Sequence, residues 1–273
     1  MSSFVHDGIT FSFREAGFWE AGAGAPFVFQ HGLGGDVNQI AAAFTPPPGI
    51  RLLTLDCRSH GATAPLGDEA RLNFNTFADD VVALLDHLGI DQAVVGGISM
   101  GAGVALNLAL RHMARVRALV LARPAWLDRP LPAHQLVYPA IAYLLRTYGA
   151  EEGQRRFAAS GAFAHILAES PDAAASLLGQ FDAAQASARV ARLERIPLDC
   201  PCIDLTACQR LALPVLLLAN RQDPIHPYDL AQRLAQFFIA PQVVEVTAKS
   251  VSKERYRADM QAALEAFLQE VTI

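Results

Sequence analysis

The sequence predicts an α/β protein: a mostly parallel sheet with helices on both faces and an inserted helical cap. Three observations predict it. Short apolar runs without polar alternation recur through the first half and again near the end, as strands covered on both faces require. Helical stripes separate these runs. From Pro124 to about Ala212 the strands stop, and only helical patterns and proline breaks remain.

Pro26 to Gln30 reads as a strand ending at His31-Gly32, and Ile50 to Leu55 as another ending at Asp56. Phe77, Val81, Leu84, Leu85 and Leu88 share one face of a helix. Asn75 or Thr76 is placed to cap it, Asp79 and Asp80 suit its positive end, and Gly89 stops it. Ala93 to Gly96 is a third strand, Gly101 to His112 a helix, and Ala118 to Ala122 a fourth strand. Within the insertion, Leu136 to Tyr148, Ala173 to Phe181 and Ala183 to Arg195 are predicted helices. The alternation then resumes with a strand from Pro214 to Ala219, a helix from Tyr228 to Phe238 and a strand from Val243 to Val246. In a last helix, Tyr256, Met260, Ala263, Leu264, Phe267 and Leu268 form a stripe. Residues 1–124 and 211–273 are thereby assigned to an α/β core and 125–210 to the cap. The natural position of the cap is over the carboxyl ends of the strands, where ligands bind in open α/β sheets.

The chain of 273 residues is 52% hydrophobic and 18% charged. That excludes a disordered chain, and the length suffices for one sizeable core. The net charge is −5 and the 22 Lys and Arg are scattered, so no basic face for nucleic acid is expected. No apolar run reaches the ~18 residues that span a membrane. Met1 to Arg14 lacks the pattern of a secretory signal. Of the four cysteines, Cys200 and Cys202 are spaced C-x-C with no histidine nearby, which is not a metal or redox pair. Reduced thiols in a cytoplasmic protein are expected.

Gly97-Ile98-Ser99-Met100-Gly101 matches G-x-S-x-G. The match sits between an apolar strand and a helix, the setting of a nucleophile elbow. There the serine occupies a strained, positive-φ turn. Residues two positions away on either side must be small, because strand and helix pass close together. Ser99 is therefore the candidate nucleophile.

With this motif the chain resembles the α/β-hydrolase family over nearly its whole length. His31-Gly32-Leu33-Gly34-Gly35 is similar to the family's HG-x-G segment, and Asp56-Cys57-Arg58-Ser59-His60-Gly61-Ala62-Thr63 to its D-x-R-G-H-G-x-S turn. The resemblance implies an oxyanion hole made by the backbone N–H groups of Leu33 and Met100. It implies turn-stabilising roles for His31 and His60. Asp223, in Asn220-Arg221-Gln222-Asp223-Pro224, matches the family's position for the triad acid.

The triad histidine of the family lies in the loop after the last strand, a place that falls near Val251 here. That segment reads Thr247-Ala248-Lys249-Ser250-Val251-Ser252-Lys253, and no histidine follows His226. Two residues can replace it. His226 shares a loop with Asp223, and Lys249 sits close to the vacated place. A lysine in an exposed loop stays protonated, so His226 is preferred as the base. Gly34, Arg123 and Trp126, at the carboxyl edge under the cap, are candidates for touching a substrate. Arg123 is equally suited to a salt bridge with Asp128. The apolar and aromatic cap residues Leu136, Tyr138, Tyr143, Phe157, Phe163 and Phe181 are expected as core, or as pocket lining.

Two functions are consistent with these residues. One is a serine hydrolase acting on an ester, lactone or related acyl substrate, with no metal or organic cofactor. The other is a small-molecule binding protein on a hydrolase scaffold, its chemistry weakened by the missing histidine. The oligomeric state is not legible.

Overall fold

The computed structural model describes residues 1–17, 24–182 and 186–272. The apolar runs form strands where expected, and two further strands precede them. β1 (Ser2–His6) and β2 (Ile9–Ala16) are followed by β3 (Ala25–Gln30), β4 (Ile50–Leu55), β5 (Ala93–Ile98) and β6 (Val116–Ala122). β7 (Val215–Ala219) and β8 (Gln242–Glu245) complete one sheet in the order β1-β2-β4-β3-β5-β6-β7-β8. The pairs from β4 to β8 are parallel, and the two amino-terminal strands are antiparallel.

The helices are α1 (Val37–Ala43), α2 (Phe74–His87), α3 (Met100–Arg111), α4 (Val137–Ala158), α5 (Gly161–Glu169), α6 (Pro171–Asp182), α7 (Ala191–Arg195), α8 (Tyr228–Ala235) and α9 (Lys253–Thr272). Alternate residues of the central strands face opposite layers. Val95, Leu119, Leu121 and Leu217 join Val81, Leu108 and Leu234 in one apolar cluster. Val94, Val120, Leu216 and Leu218 join Ile40, Met260, Leu264 and Phe267 in another. Every residue of β5 is buried, which is why its sequence carries no polar alternation.

Three expectations are corrected. The side chain that caps α2 is Asn73, accepting from the Thr76 N–H at 2.9 Å, rather than Asn75 or Thr76. Buried Phe74 starts the helix three positions before Phe77, the first residue of the apolar stripe. The helix expected from Leu136 to Tyr148 does end at a break at Gly149, where φ is 75° and ψ −176°, but helical turns resume beyond it and carry α4 to Ala158. Of the helix expected from Ala183 to Arg195, residues 183–185 lie outside the described residues, and only Ala191–Arg195 is helical.

Between β6 and β7 the described residues contain helices and turns and no strand. Phe157, Phe163 and Phe181 from α4, α5 and α6 pack together, with ring centroids 5.4 and 5.8 Å apart. These three rings are the core of the insertion. Tyr143 and Leu136 face solvent. Among the described residues no helix is long and apolar enough to cross a membrane.

Candidate active site

Ser99 sits between the last residue of β5 and the first of α3, with φ 58° and ψ −111°. Its own N–H donates to the Ala122 carbonyl at 2.9 Å, tying the turn to β6. A Cβ on Gly97 would overlap the backbone of Gly101, and one on Gly101 would overlap the Gln30 carbonyl. Both glycines of the motif are therefore required by close backbone approach. The turn lifts the Ser99 hydroxyl to the carboxyl end of the sheet, into a cavity of about 200 Å³.

Asp223 and His226 arrive on the loop after β7. The Asp223 Oδ1 accepts the N–H groups of Ile225 and His226, each at 3.2 Å. This aspartate-capped turn is local chemistry that Asp-Pro sequences favour. It points the His226 ring back at its own acid: Nδ1 lies 3.0 Å from Asp223 Oδ1. The Nε2 on the other side of the ring lies 2.8 Å from the Ser99 Oγ. Donation by Nδ1 to the carboxylate leaves Nε2 as acceptor of the serine proton.

Arg123 follows β6 with φ 49° and takes the other carboxylate oxygen, its Nε donating to Asp223 Oδ2 at 2.8 Å. It does not pair with Asp128, which holds Arg233. An Arg123 terminal nitrogen also lies 3.1 Å from His226 Nδ1. Burial opposes ionisation of Asp223, but the charges of His226 and Arg123 outweigh it and hold the carboxyl well below the usual range. Burial lowers the His226 pKa, Asp223 counteracts this, and Arg123 adds to the lowering. The neutral imidazole is thus favoured.

The loop after His31 supplies the opposite wall. The His31 Nδ1–H donates to Gly32 O at 2.9 Å, and Nε2 accepts the Cys57 N–H at 3.1 Å. His60 Nδ1 donates to the Arg58 carbonyl at 2.8 Å. Both histidines are fully buried and brace their turns. The Gly32 N–H is taken by Gln39 Oε1 at 2.7 Å, whereas neither the Leu33 nor the Met100 N–H donates to an acceptor among the described residues.

Two candidate substrate contacts lie elsewhere. Gly34 is covered by α6: its Cα faces the Gln180 side chain so closely that a Cβ would overlap it. Trp126 is only 1% exposed and packs against Phe74 and Tyr138, because the chain turns inward after Arg123. Arg123 lines the cavity but is already engaged by Asp223. Several lining residues escaped the sequence reading. Gln39, Ser176 and Asp172 carry no motif or spacing that marks them. Lys249 also lines the cavity, half-buried against the Tyr256 ring at 4.9 Å, rather than standing in an exposed loop. Its position near the place of the family histidine was the signal available. Among the described residues no group of His, Cys, Asp and Glu is arranged to hold a metal ion.

This sheet order, elbow and insertion define a class. Residues 25–250 match the model of the alpha/beta hydrolase fold, and the chain belongs to that family. A 3-oxoadipate enol-lactonase of Acinetobacter baylyi is 29% identical over 226 residues, 80% of this chain and 78% of that protein. A 2-hydroxymuconate semialdehyde hydrolase of a Pseudomonas species is 36% identical over 116 residues, which is 41% of each protein, so this match spans under half the relative's length. Among solved structures, the enol-lactonase of Burkholderia xenovorans superposes with a TM-score of 0.75 at 22% identity, covering 98% of this chain and 100% of that one. At that identity the likeness concerns the fold.

Proposed function

We propose that the protein is a serine hydrolase of esters, lactones or related acyl compounds, with Ser99 as nucleophile, His226 as general base and Asp223 as the acid that orients it. The observation that carries this reading is the unbroken chain from Ser99 Oγ to His226 Nε2 at 2.8 Å and from His226 Nδ1 to Asp223 Oδ1 at 3.0 Å. A serine hydroxyl needs such a base to attack at neutral pH, and histidine meets the requirement without a large pKa perturbation. The family's histidine place is vacant, and His226 supplies the same imidazole from the acid's own turn.

Ser99 Oγ attacks the acyl carbon while its proton passes to His226 Nε2. The oxyanion that forms is held by the free N–H groups of Leu33 and Met100. Preorganised donors of this kind contribute about 10²–10³ in rate each. Collapse expels the alcohol, which takes the proton from His226. Water then attacks the acyl-serine with His226 again as base, releasing the acid. Similarity to an enol-lactonase over 80% of this chain supports an acyl substrate of lactone or ester type.

One observation favours a binding protein with weak catalysis. Arg123 shares Asp223 with His226 and approaches Nδ1, so the imidazolium formed in the reaction is stabilised less. Labelling with a fluorophosphonate separates the two readings, because it reports an activated serine whatever the substrate. Wild type is expected to label, Ser99→Ala to lose labelling and turnover with an almost unchanged thermal midpoint, and His226→Ala to lose about 10²–10⁴ in rate. Equal labelling of wild type and Ser99→Ala would sink the proposal.

A further inference from the structure

The charges around the cavity are matched with one exception. Arg123 is held by Asp223, and the Asp172 carboxylate is paired with Lys253 at 3.4 Å. His226 is favoured in its neutral form. Lys249 alone of the lining cations has no carboxylate within ion-pair distance among the described residues. Its ammonium rests over the face of the Tyr256 ring, an electrostatic attraction that satisfies none of its N–H donors. A partly desolvated ammonium without a partner is costly, and such groups are ordinarily paired.

The neighbours of Lys249 fit an anion. Gln39 has its carbonyl oxygen committed to the Gly32 N–H, so its amide nitrogen is the group left to donate. The Ser176 hydroxyl lines the same cavity. A second cavity of about 410 Å³ shares Gln39, Asp172 and Lys249 with the first and continues along Lys253, Glu254 and Arg257, so three cations face two carboxylates along it. Lys249 stands where the two meet.

We infer that the acyl substrate carries a carboxylate, as in a monoester or lactone of a short dicarboxylic acid, and that Lys249 binds that carboxylate while Ser99 attacks the other end. The inference rests on the reading of Ser99 as nucleophile. At about 200 Å³ the cavity is smaller than typical drug-sized pockets, which suits a short acyl chain. Hydrolysis consumes one water: the serine–acyl bond forms as the alkoxy bond breaks, and water then replaces the serine oxygen. The products are an alcohol and a dicarboxylate, or, from a lactone, one dicarboxylate that keeps the released hydroxyl. Lys249 takes no part in the proton transfers.

The test compares p-nitrophenyl hydrogen glutarate with p-nitrophenyl valerate, esters of equal chain length that differ in the terminal carboxylate. The readout is the ratio of their kcat/KM values. Wild type is expected to favour the glutarate ester. Lys249→Met should lower the ratio about tenfold or more, mainly through KM, as loss of a charge-assisted hydrogen bond implies. Lys249→Arg, which keeps the charge but cannot act as a base, should retain most of the preference. A wild-type ratio at or below one overturns the inference, even if Lys249→Met does not fold, and so does a ratio that Lys249→Met leaves unchanged. Glutarate binding to Ser99→Ala by calorimetry needs no turnover. Binding that depends on Lys249 without labelling of wild type would mean that the nucleophile reading fails and the carboxylate site stands. Ser99-dependent cleavage without charge preference would mean the reverse.

Discussion

His226 carries both advantage and handicap in its two ring nitrogens. Nε2 reaches the Ser99 hydroxyl, while Nδ1 shares Asp223 with the Arg123 guanidinium. An arginine this close disfavours the imidazolium, as a like charge does to any titrating group. Removing it by Arg123→Met should therefore raise the His226 pKa and move the acidic limb of kcat/KM to higher pH. The limb is read from a pH–rate profile, and a limb that stays in place or moves down would show that Arg123 does not tune the base. Asp223 and His226 stand three residues apart in one short loop, so the pairing is readable from sequence once the loop is taken as a turn. What the same line of letters does not carry is Arg123, which reaches Asp223 from a different strand end, a hundred positions earlier in the chain.

At the scale of elements, the insertion shows where periodicity ends as a guide. The helix predicted from Leu136 stops at Tyr148, one residue before the break in α4 at Gly149, but nothing in the spacing announces the helical turns that resume beyond it to Ala158. The chain there adopts φ 75° and ψ −176°, a region essentially restricted to glycine. A Cβ at this position meets nothing within 4 Å, so crowding is not the obstacle. Gly149→Ala should still cost about 1–3 kcal/mol through backbone strain alone. The thermal midpoint is expected to fall by several degrees, and an unchanged or raised midpoint would show that the two helical segments tolerate fusion. The strands β1 and β2 escaped the sequence reading for a related reason. They are antiparallel, at one edge of the sheet, and β1 buries only Phe4, so neither gives the continuous apolar run that marks the central strands.

For the whole molecule, acid is the expected weakness. Burial lowers the pKa values of His31, His60, His134 and His226 in the fold. A histidine kept neutral in the native state binds fewer protons there than in the unfolded chain. Its stabilising effect is present above the unfolded pKa, near 6.5, and is lost as pH falls below it. Each contributes a slope of about 1.4 kcal/mol per pH unit until its native pKa is reached. Asp223, with its depressed pKa, adds a loss of the same sign at lower pH. The midpoint should thus decline already between about pH 6.5 and 5, before ordinary carboxylates titrate. A flat midpoint through that range, followed by thermal scans, would mean that these histidines titrate alike folded and unfolded. The sequence by itself determined the α/β class, the strand-to-helix turn at Ser99 and its glycines, because each depends on residues a few positions apart and on the burial of apolar runs. It also showed that no histidine follows His226. Only the tertiary structure decided that His226 Nε2 meets the Ser99 hydroxyl, that Gln180 covers Gly34, that Trp126 turns into the core, and that Lys249 is drawn into the cavity beside Tyr256. These contacts join strand ends and helices separated by tens of residues or more, and the spacing of letters along a chain holds no information about which distant loops share one edge of a sheet.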